Sequence, residues 1–258
     1  MKTPSLFPEL DPAPVPKAKR IAIDLELASL FELLPGEDLW KHAPFELAVV
    51  AIATDRGEVR HWYEQGADGK PGRCLTKTHA RDVLAFLREA QRSGIRVSAW
   101  NGVSFDIRAL GETAGDFALA AEVALDLVDP MFQFFQQRGF LLGLAKVAEG
   151  LGIEQKKLMH GADAPKEWAR GNHQLVLDYV AGDCRMTDAV VAKLEQTGVV
   201  RWRTAKGTPA EEPMPRLLTA REILRLPPPD TSWMKDRPLK RERFYEWMIP
   251  HARFEVAR

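Results

Sequence analysis

Only two cysteines occur in the 258 residues, Cys74 and Cys184, set 110 positions apart. They make neither a C-x-x-C pair nor a disulfide framework, so a reducing cytoplasm is the expected location. Long apolar runs are also missing, and none approaches the roughly 18–20 residues that span a bilayer. The stretch MKTPSLFPELDPAPVPKAKR has no apolar signal-peptide core, and its prolines make it a poor targeting helix. The six histidines are scattered without an H-x-x-x-H, which removes the usual zinc-protease arrangement. No P-loop and no G-x-G-x-x-G occurs. Neither sign of charge dominates: 36 Lys+Arg balance 36 Asp+Glu, so bulk electrostatics supplies no argument for a nucleic-acid binder. With 45% hydrophobic and 28% charged residues, the composition is that of an ordinary soluble globular chain, expected to touch no membrane.

What is present divides into three stretches. Residues 1–18 read as a proline-rich leader. Residues 19–198 alternate strand and helix signals and form the expected main domain. Residues 199–258 are a basic, aromatic C-terminal extension. In the main domain, a first strand covers 20–28. PFELAVVAIATDRGEVRHWYEQ then carries two runs around a D-R-G turn, which is a β-hairpin signal. A charged helix is expected over Thr78–Arg92 and a short strand in IRVSAWNG. Ser104 is placed to cap a helix running through Leu110. Further helices are expected over Pro130–Gln137, Leu141–Ala148 and His173 to about Glu195. The fold class is therefore α/β, a mixed sheet with helices packed on it.

The first strand carries the first chemical signal. In RIAIDLELASLF, Ile21, Ile23, Leu25 and Leu27 alternate toward a core, leaving Asp24 and Glu26 on the opposite face. Residues two apart share a face and the rise is roughly 3.3 Å per residue, so the two carboxylates stand roughly 6–7 Å apart. An amphipathic strand with one wet face would give the same pattern. The spacing also suits hard divalent cations, which prefer carboxylate oxygens.

Two more acidic positions stand in defined settings. RVSAW ends in NGVSFD, which puts Asn101-Gly102 at a turn and Asp106 in the first turn of the next helix, where its charge also suits the helix dipole. LDYVAGDCRMTDAVV reads as a helix with Leu175, Val176 and Val180 on its apolar face. Tyr179 and Asp183, at i and i+4, are neighbours on that helix. Gly182 costs the helix about 1 kcal/mol relative to alanine, a cost easier to understand where something approaches the backbone.

D-x-E on a first strand, N-G-x-x-F-D after a later strand and Y-x-x-x-D on a late helix together resemble the three exonuclease motifs of the DEDD 3′–5′ exonuclease superfamily. Tyr179 places the resemblance in the tyrosine subgroup, DEDDy; the histidine subgroup would need His at 178, where this chain has Asp178. The resemblance covers roughly residues 20–197. It implies an RNase H-like fold and metal ligands Asp24, Glu26, Asp106 and Asp183, holding two Mg²⁺ or Mn²⁺ ions. It implies that Tyr179 orients the attacking water, completing the catalytic set, and that Leu27, Asn101 and Phe105 meet the terminal nucleotide. Many members of the superfamily have Thr at the position of Leu27, so an apolar contact replaces a hydroxyl here. The expected partner is a single-stranded 3′ end of DNA or RNA, with any polymerase or repair partner on a separate chain.

The rest is open to plainer readings. Asp126 and Asp129 in LDLVDP read as strand-end or turn carboxylates, and Trp100 as core; Phe105 could equally be core. Lys156 and Lys157 could hold substrate phosphates or simply be solvated. From Arg201 onward 13 Lys+Arg face 8 Asp+Glu, interleaved with Trp202, Trp233, Phe244, Tyr245 and Trp247. Such a stretch either grips a single strand or wraps the domain and buries its aromatics, the preferred expectation. Two functions from different classes follow. The preferred one is a metal-dependent 3′–5′ exonuclease releasing nucleoside 5′-monophosphates. The alternative is a catalytically idle nuclease-fold subunit of a replication, repair or RNA-processing assembly, which would have no need of all four carboxylates and the tyrosine.

Overall fold

The alternation in the first strand is realised. In a computed structural model describing residues 18–34, 36–154, 158–234 and 239–257, β1 (Arg20–Leu27) buries Ile21, Ile23 and Leu25 in the main core. Ala22, Asp24 and Glu26 lie on its other face, as the two-residue strand period requires. β2 (Leu47–Thr54) pairs antiparallel with β1, and β3 (Val59–Trp62) completes the hairpin. All of Leu47–Ala53 is buried. Such a strand is covered on both faces, which is why its sequence is a continuous apolar run. β4 (Arg96–Ser98) lies parallel to β1, giving the order β3-β2-β1-β4. Val128 extends the sheet on that side through a parallel bridge to Ser98.

One face of the sheet is covered by α1 (Lys77–Arg92), α2 (Asp106–Ala114) and α3 (Phe117–Leu125), whose apolar residues join Ile21, Ile23 and Leu25 in the main core. Next in the chain come α4 (Pro130–Arg138), α5 (Leu144–Gly150) and α6 (Ala164–Ala169). The other face is covered by α7 (His173–Thr197), with Val176, Leu177, Val180 and Cys184 packed on Ala48, Val49, Ala51 and Ala53. The three alanines let the helix come close, and the Cys184 thiol donates to the Ala51 carbonyl at 3.2 Å. The architecture is thus a mixed sheet flanked by helices, as the resemblance implies.

Several local expectations need correction. Leu175 is exposed and Leu177 takes its place against the sheet, because α7 is rotated to put the residue after Val176 inward. Ser104 does not cap α2; Phe105 holds that position without a side-chain cap, and the Ser104 hydroxyl donates back to Asn101 Oδ1 at 2.6 Å. α5 begins three residues later than expected, at Leu144. α3 went unforeseen, since FALAAEVAL is mostly alanine and leucine and carries no polar stripe to mark a period.

The extension is integrated with the rest. β5 (Val199–Arg203) and β6 (Pro209–Pro213) form a hairpin, followed by α8 (Ala220–Leu224) and α9 (Glu242–Tyr245). Phe244 stacks on Phe132 with centroids 4.5 Å apart, and the Trp247 indole donates to the Val103 carbonyl at 3.1 Å. Trp202 meets Phe134 edge-on, whereas Trp233 remains 57% exposed. Much of the basic excess is paired: Arg201 with Glu211, Arg216 with Glu222, Arg221 with Asp126 and Arg225 with Glu255. Among the described residues no helix is long and apolar enough to cross a membrane.

Candidate active site

Covering the acidic face of β1 with α7 creates an electrostatic problem. Asp24 and Glu26 rise from the strand and Asp183 descends from the helix, with one carboxylate oxygen from each lying within 4.8 Å of the others. A register slip between Glu26 and Leu27 lies at this end of the strand, where such irregularities bend the backbone and re-aim side chains. Asp106, the first residue of α2, is buried beside them, and its Oδ1 has no hydrogen-bond partner. Four carboxylates from three elements thus gather toward the C-terminal end of β1.

The turn that delivers Asp106 is built around Asp129. Its carboxylate is fully buried and accepts from the backbone amides of Asn101, Val103, Met131 and Phe132, each at 3.1 Å. It therefore caps α4 and pins the 101–103 turn in one stroke. Asn101 has a left-handed backbone with φ 71°, a conformation asparagine tolerates better than most residues. Gly102 is required because a Cβ there would collide with the Ala99 side chain.

Charge crowding is visible in the proton affinities. Burial, then the neighbouring carboxylates, hold Asp24 and Glu26 well above the ordinary carboxylate range. Burial pushes Asp106 up to about 7, against the opposing effect of its own backbone amide. Asp129 rises to about 6 through burial, its backbone hydrogen bonds opposing. Burial and then the Asp183 charge drive the Tyr179 phenol further above its ordinary value, so it is a neutral hydroxyl across the physiological range. That hydroxyl is hydrogen-bonded to Asp183, one helical turn on. Oxygen-only donors, mutual repulsion and an orphaned buried carboxylate oxygen fit a hard divalent cation.

Alongside the carboxylates runs a cleft of about 1010 Å³ between α5 and α7, with Tyr179, Gly182 and Asp183 in its wall beside Ala148, Ile153 and Met186. Gly182 thus lines the cleft, where a missing side chain leaves the backbone approachable. Gly161 lies across from Tyr179, where a Cβ would stand 3.3 Å from the phenol oxygen.

No protein-family model and no curated protein matches the chain. Similar solved structures exist. A family B DNA polymerase from the hyperthermophilic archaeon Pyrobaculum calidifontis aligns at 18% identity and TM-score 0.49, over 69% of this chain and 24% of that one. Trypanosoma brucei RNase D in complex with GMP aligns at 17% identity and TM-score 0.44, over 70% and 52%. The same enzyme in complex with RNA U12 aligns at 15% identity and TM-score 0.37, over 90% and 73%. This chain thus spans about a quarter of the polymerase chain and about half of the GMP-bound RNase D chain. With every TM-score below 0.5, these likenesses fix neither family nor chemistry, which rest on the chain's own residues.

The remaining candidate residues fall around the cluster. Leu27 and Phe105 are half-buried against the main core, each next in sequence to one of the carboxylates. Asn101 uses its backbone amide on Asp129 and its Oδ1 on Ser104. Trp100 packs between two cores and donates from its indole to the Leu142 carbonyl at 2.9 Å. Asp126 binds Arg88 and Arg221 away from the cluster. Lys156 and Lys157 lie outside the described residues. The supporting role of Asp129 was missed, although the Asp-Pro step before an apolar helix is an N-cap signal.

Proposed function

We propose that the chain is a metal-dependent 3′–5′ exonuclease of the DEDD type, hydrolysing phosphodiester bonds at single-stranded 3′ ends and releasing nucleoside 5′-monophosphates. The observation that carries this reading is the convergence of Asp24, Glu26 and Asp183 within 4.8 Å, with the unpartnered Asp106 oxygen beside them. Asp24, Glu26, Asp106 and Asp183 would hold Mg²⁺ or Mn²⁺. When bound, two such ions supply charge neutralisation and Lewis-acid stabilisation of a phosphodiester displacement.

The chain's own residues do the rest. Tyr179, neutral and anchored on Asp183, aims a water by hydrogen bonding and does not act as a base. Asp129 holds the turn that fixes Asp106. Leu27 and Phe105 offer apolar contact to the terminal nucleoside, and Asn101 keeps its side-chain amide N–H groups for polar contact. We take residues 19–198 as the catalytic unit in a cytoplasmic protein, with the extension as its brace. An idle subunit of a larger assembly is the less favoured reading, because a site without metal has no use for carboxylates that repel one another.

The test is incubation with 5′- and 3′-labelled DNA and RNA oligonucleotides in Mg²⁺, Mn²⁺ or EDTA. The expected result is a ladder shortening from the 3′ end in metal and none in EDTA. Undiminished hydrolysis in excess EDTA, or shortening from the 5′ end, would overturn the assignment.

A further inference from the structure

Arg20 shares a strand face with the acidic pair and takes no part in the catalytic assignment. With Ala22, Asp24 and Glu26 it makes one row along β1 beneath α7, as the two-residue period requires. At its end of that row the Arg20 guanidinium donates to Asp188 of α7, through Nε at 3.0 Å and Nη2 at 3.4 Å. Its Nη1 lies 3.6 Å from Glu195, which also pairs with Arg96, the β4 residue in register with Arg20. The Arg20 and Asp188 side chains are only 19% and 16% exposed, so solvent ions screen this pair less than one on the open surface. Helix geometry decides what the pairing fixes. At 3.6 residues per turn, Asp188 stands roughly 140° around α7 from Asp183, with the buried Val180, Cys184 and Thr187 in the arc between them. β1 therefore crosses beneath the helix from one edge to the other, meeting Asp183 with Asp24 and Glu26, and Asp188 with Arg20.

We propose that Arg20 is a positioning residue for the acidic cluster: through Asp188 and Glu195 it sets the angle at which α7 crosses β1, and so keeps Asp183 in reach of Asp24 and Glu26. What the cluster does rests on the exonuclease reading; how it is held does not. Two features give Arg20 this role. The sheet surface under this part of α7 is made of Ala22, Ala51 and Ala53, and such small side chains offer no ridge to seat in a helix groove and fix the crossing. The two edges of the helix also differ in sign. Carboxylates repel one another across β1 and α7 at the Asp183 edge, whereas cations of β1 and β4 attract Asp188 and Glu195 at the other. The attraction acts roughly 13 Å along the strand from Asp24, far enough to resist a swing of the helix. Such a swing matters, because a displacement of about 1 Å at a reacting group can cost roughly 10²-fold in rate.

The test follows Cys184, which is fully buried where α7 meets Ala51. In a Cys74→Ser background it is the only thiol. Its rate of reaction with 4,4′-dithiodipyridine in EDTA then reads how firmly α7 is seated, with no metal involved. Mn²⁺ affinity is measured by calorimetry on the same proteins, and hydrolysis of labelled oligonucleotides separately. Arg20→Met keeps the apolar stem and Asp188→Asn keeps the shape. Each should speed the thiol reaction and weaken Mn²⁺ binding, both roughly tenfold, and lower kcat with little change in KM. The double variant should be little worse than Arg20→Met, because both changes remove the same contact. Ile223→Val, which trims the main core, serves as the stability control and should leave Mn²⁺ affinity unchanged. Parent-like thiol rates in both single variants would overturn the proposal. So would additive losses in the double variant, or an acceleration that Ile223→Val reproduces at an equal drop in melting temperature. A parent that neither binds Mn²⁺ nor hydrolyses oligonucleotides would discard the exonuclease reading, while faster thiol reaction in the variants would still support the seating role. Hydrolysis by the parent with unchanged thiol rates in the variants would do the reverse.

Discussion

Asp106→Asn should stabilise the metal-free protein above neutral pH while removing metal-supported hydrolysis. The carboxyl is raised from 3.8 to about 7 in the fold. At about 1.36 kcal/mol for each tenfold change in proton affinity, the ionised form is roughly 4 kcal/mol less favourable in the folded state than in the unfolded chain. Asparagine keeps the shape and removes the charge, but its own buried amide costs about 1–3 kcal/mol where it finds no partner. The net gain at pH 8 is then about 1–3 kcal/mol, or roughly 2–10 °C in melting temperature for a chain of this size. The pH dependence follows in sign. Folded Asp106 keeps its proton to higher pH than unfolded Asp106, so the folded state binds more protons between about pH 4 and pH 7. Stability of the metal-free parent therefore falls as pH rises through that window, and Asn at 106 removes this contribution. Near pH 4 the two proteins should melt within a degree or two of the difference set by the amide alone. The measurement is thermal unfolding by circular dichroism in EDTA from pH 4 to pH 8, repeated with Mn²⁺, which should raise the melting temperature of the parent and much less that of the variant. A parent whose pH dependence matches that of Asp106→Asn would refute the account of Asp106 as a carboxyl whose burial disfavours its charge. So would a variant less stable than the parent by the same margin at every pH.

Tyr179→Phe keeps the ring and removes the hydroxyl, so kcat should drop by roughly 10²-fold with little change in KM; equal turnover would return Tyr179 to a packing role. Asp129→Ala strands the buried amides of Asn101, Val103, Met131 and Phe132. The expected loss is roughly 3–5 kcal/mol of stability by urea unfolding, and a loss below about 1 kcal/mol would show that water replaces the carboxylate. Truncation after Gly198 removes Phe244 and Trp247 from the main core. Each such aromatic contributes about 1.5–3 kcal/mol on burial, so the product should melt far below the parent or fail to fold; a parent-like melting temperature would show that the extension is dispensable.

Much of the candidate site's arrangement was legible because its signals are local. A two-residue period puts Asp24 and Glu26 on one strand face, and a four-residue step puts Tyr179 beside Asp183, whatever the rest of the chain does. The hairpin, the long α7 helix and the N-G turn before Asp106 follow from the same short-range rules. α3 escaped because a run made mostly of alanine and leucine has no polar stripe to mark its period, and Ser104 misled because its hydroxyl turns back to the Asn101 side chain instead of capping α2. The rest belongs to long-range packing. Nothing near Asp24 in sequence says that α7 will lie across it, or that small residues at Ala48, Ala51 and Ala53 will bring Asp183 within reach. Nor does the β1–β2 connection announce that Trp40 and Phe45 will meet Phe105 from a turn some sixty residues on. Periodicity determines which face a side chain takes, since that depends on a few dihedral angles. Which faces meet depends on how strands and helices distant in the chain bury one another, and only the tertiary structure settles that.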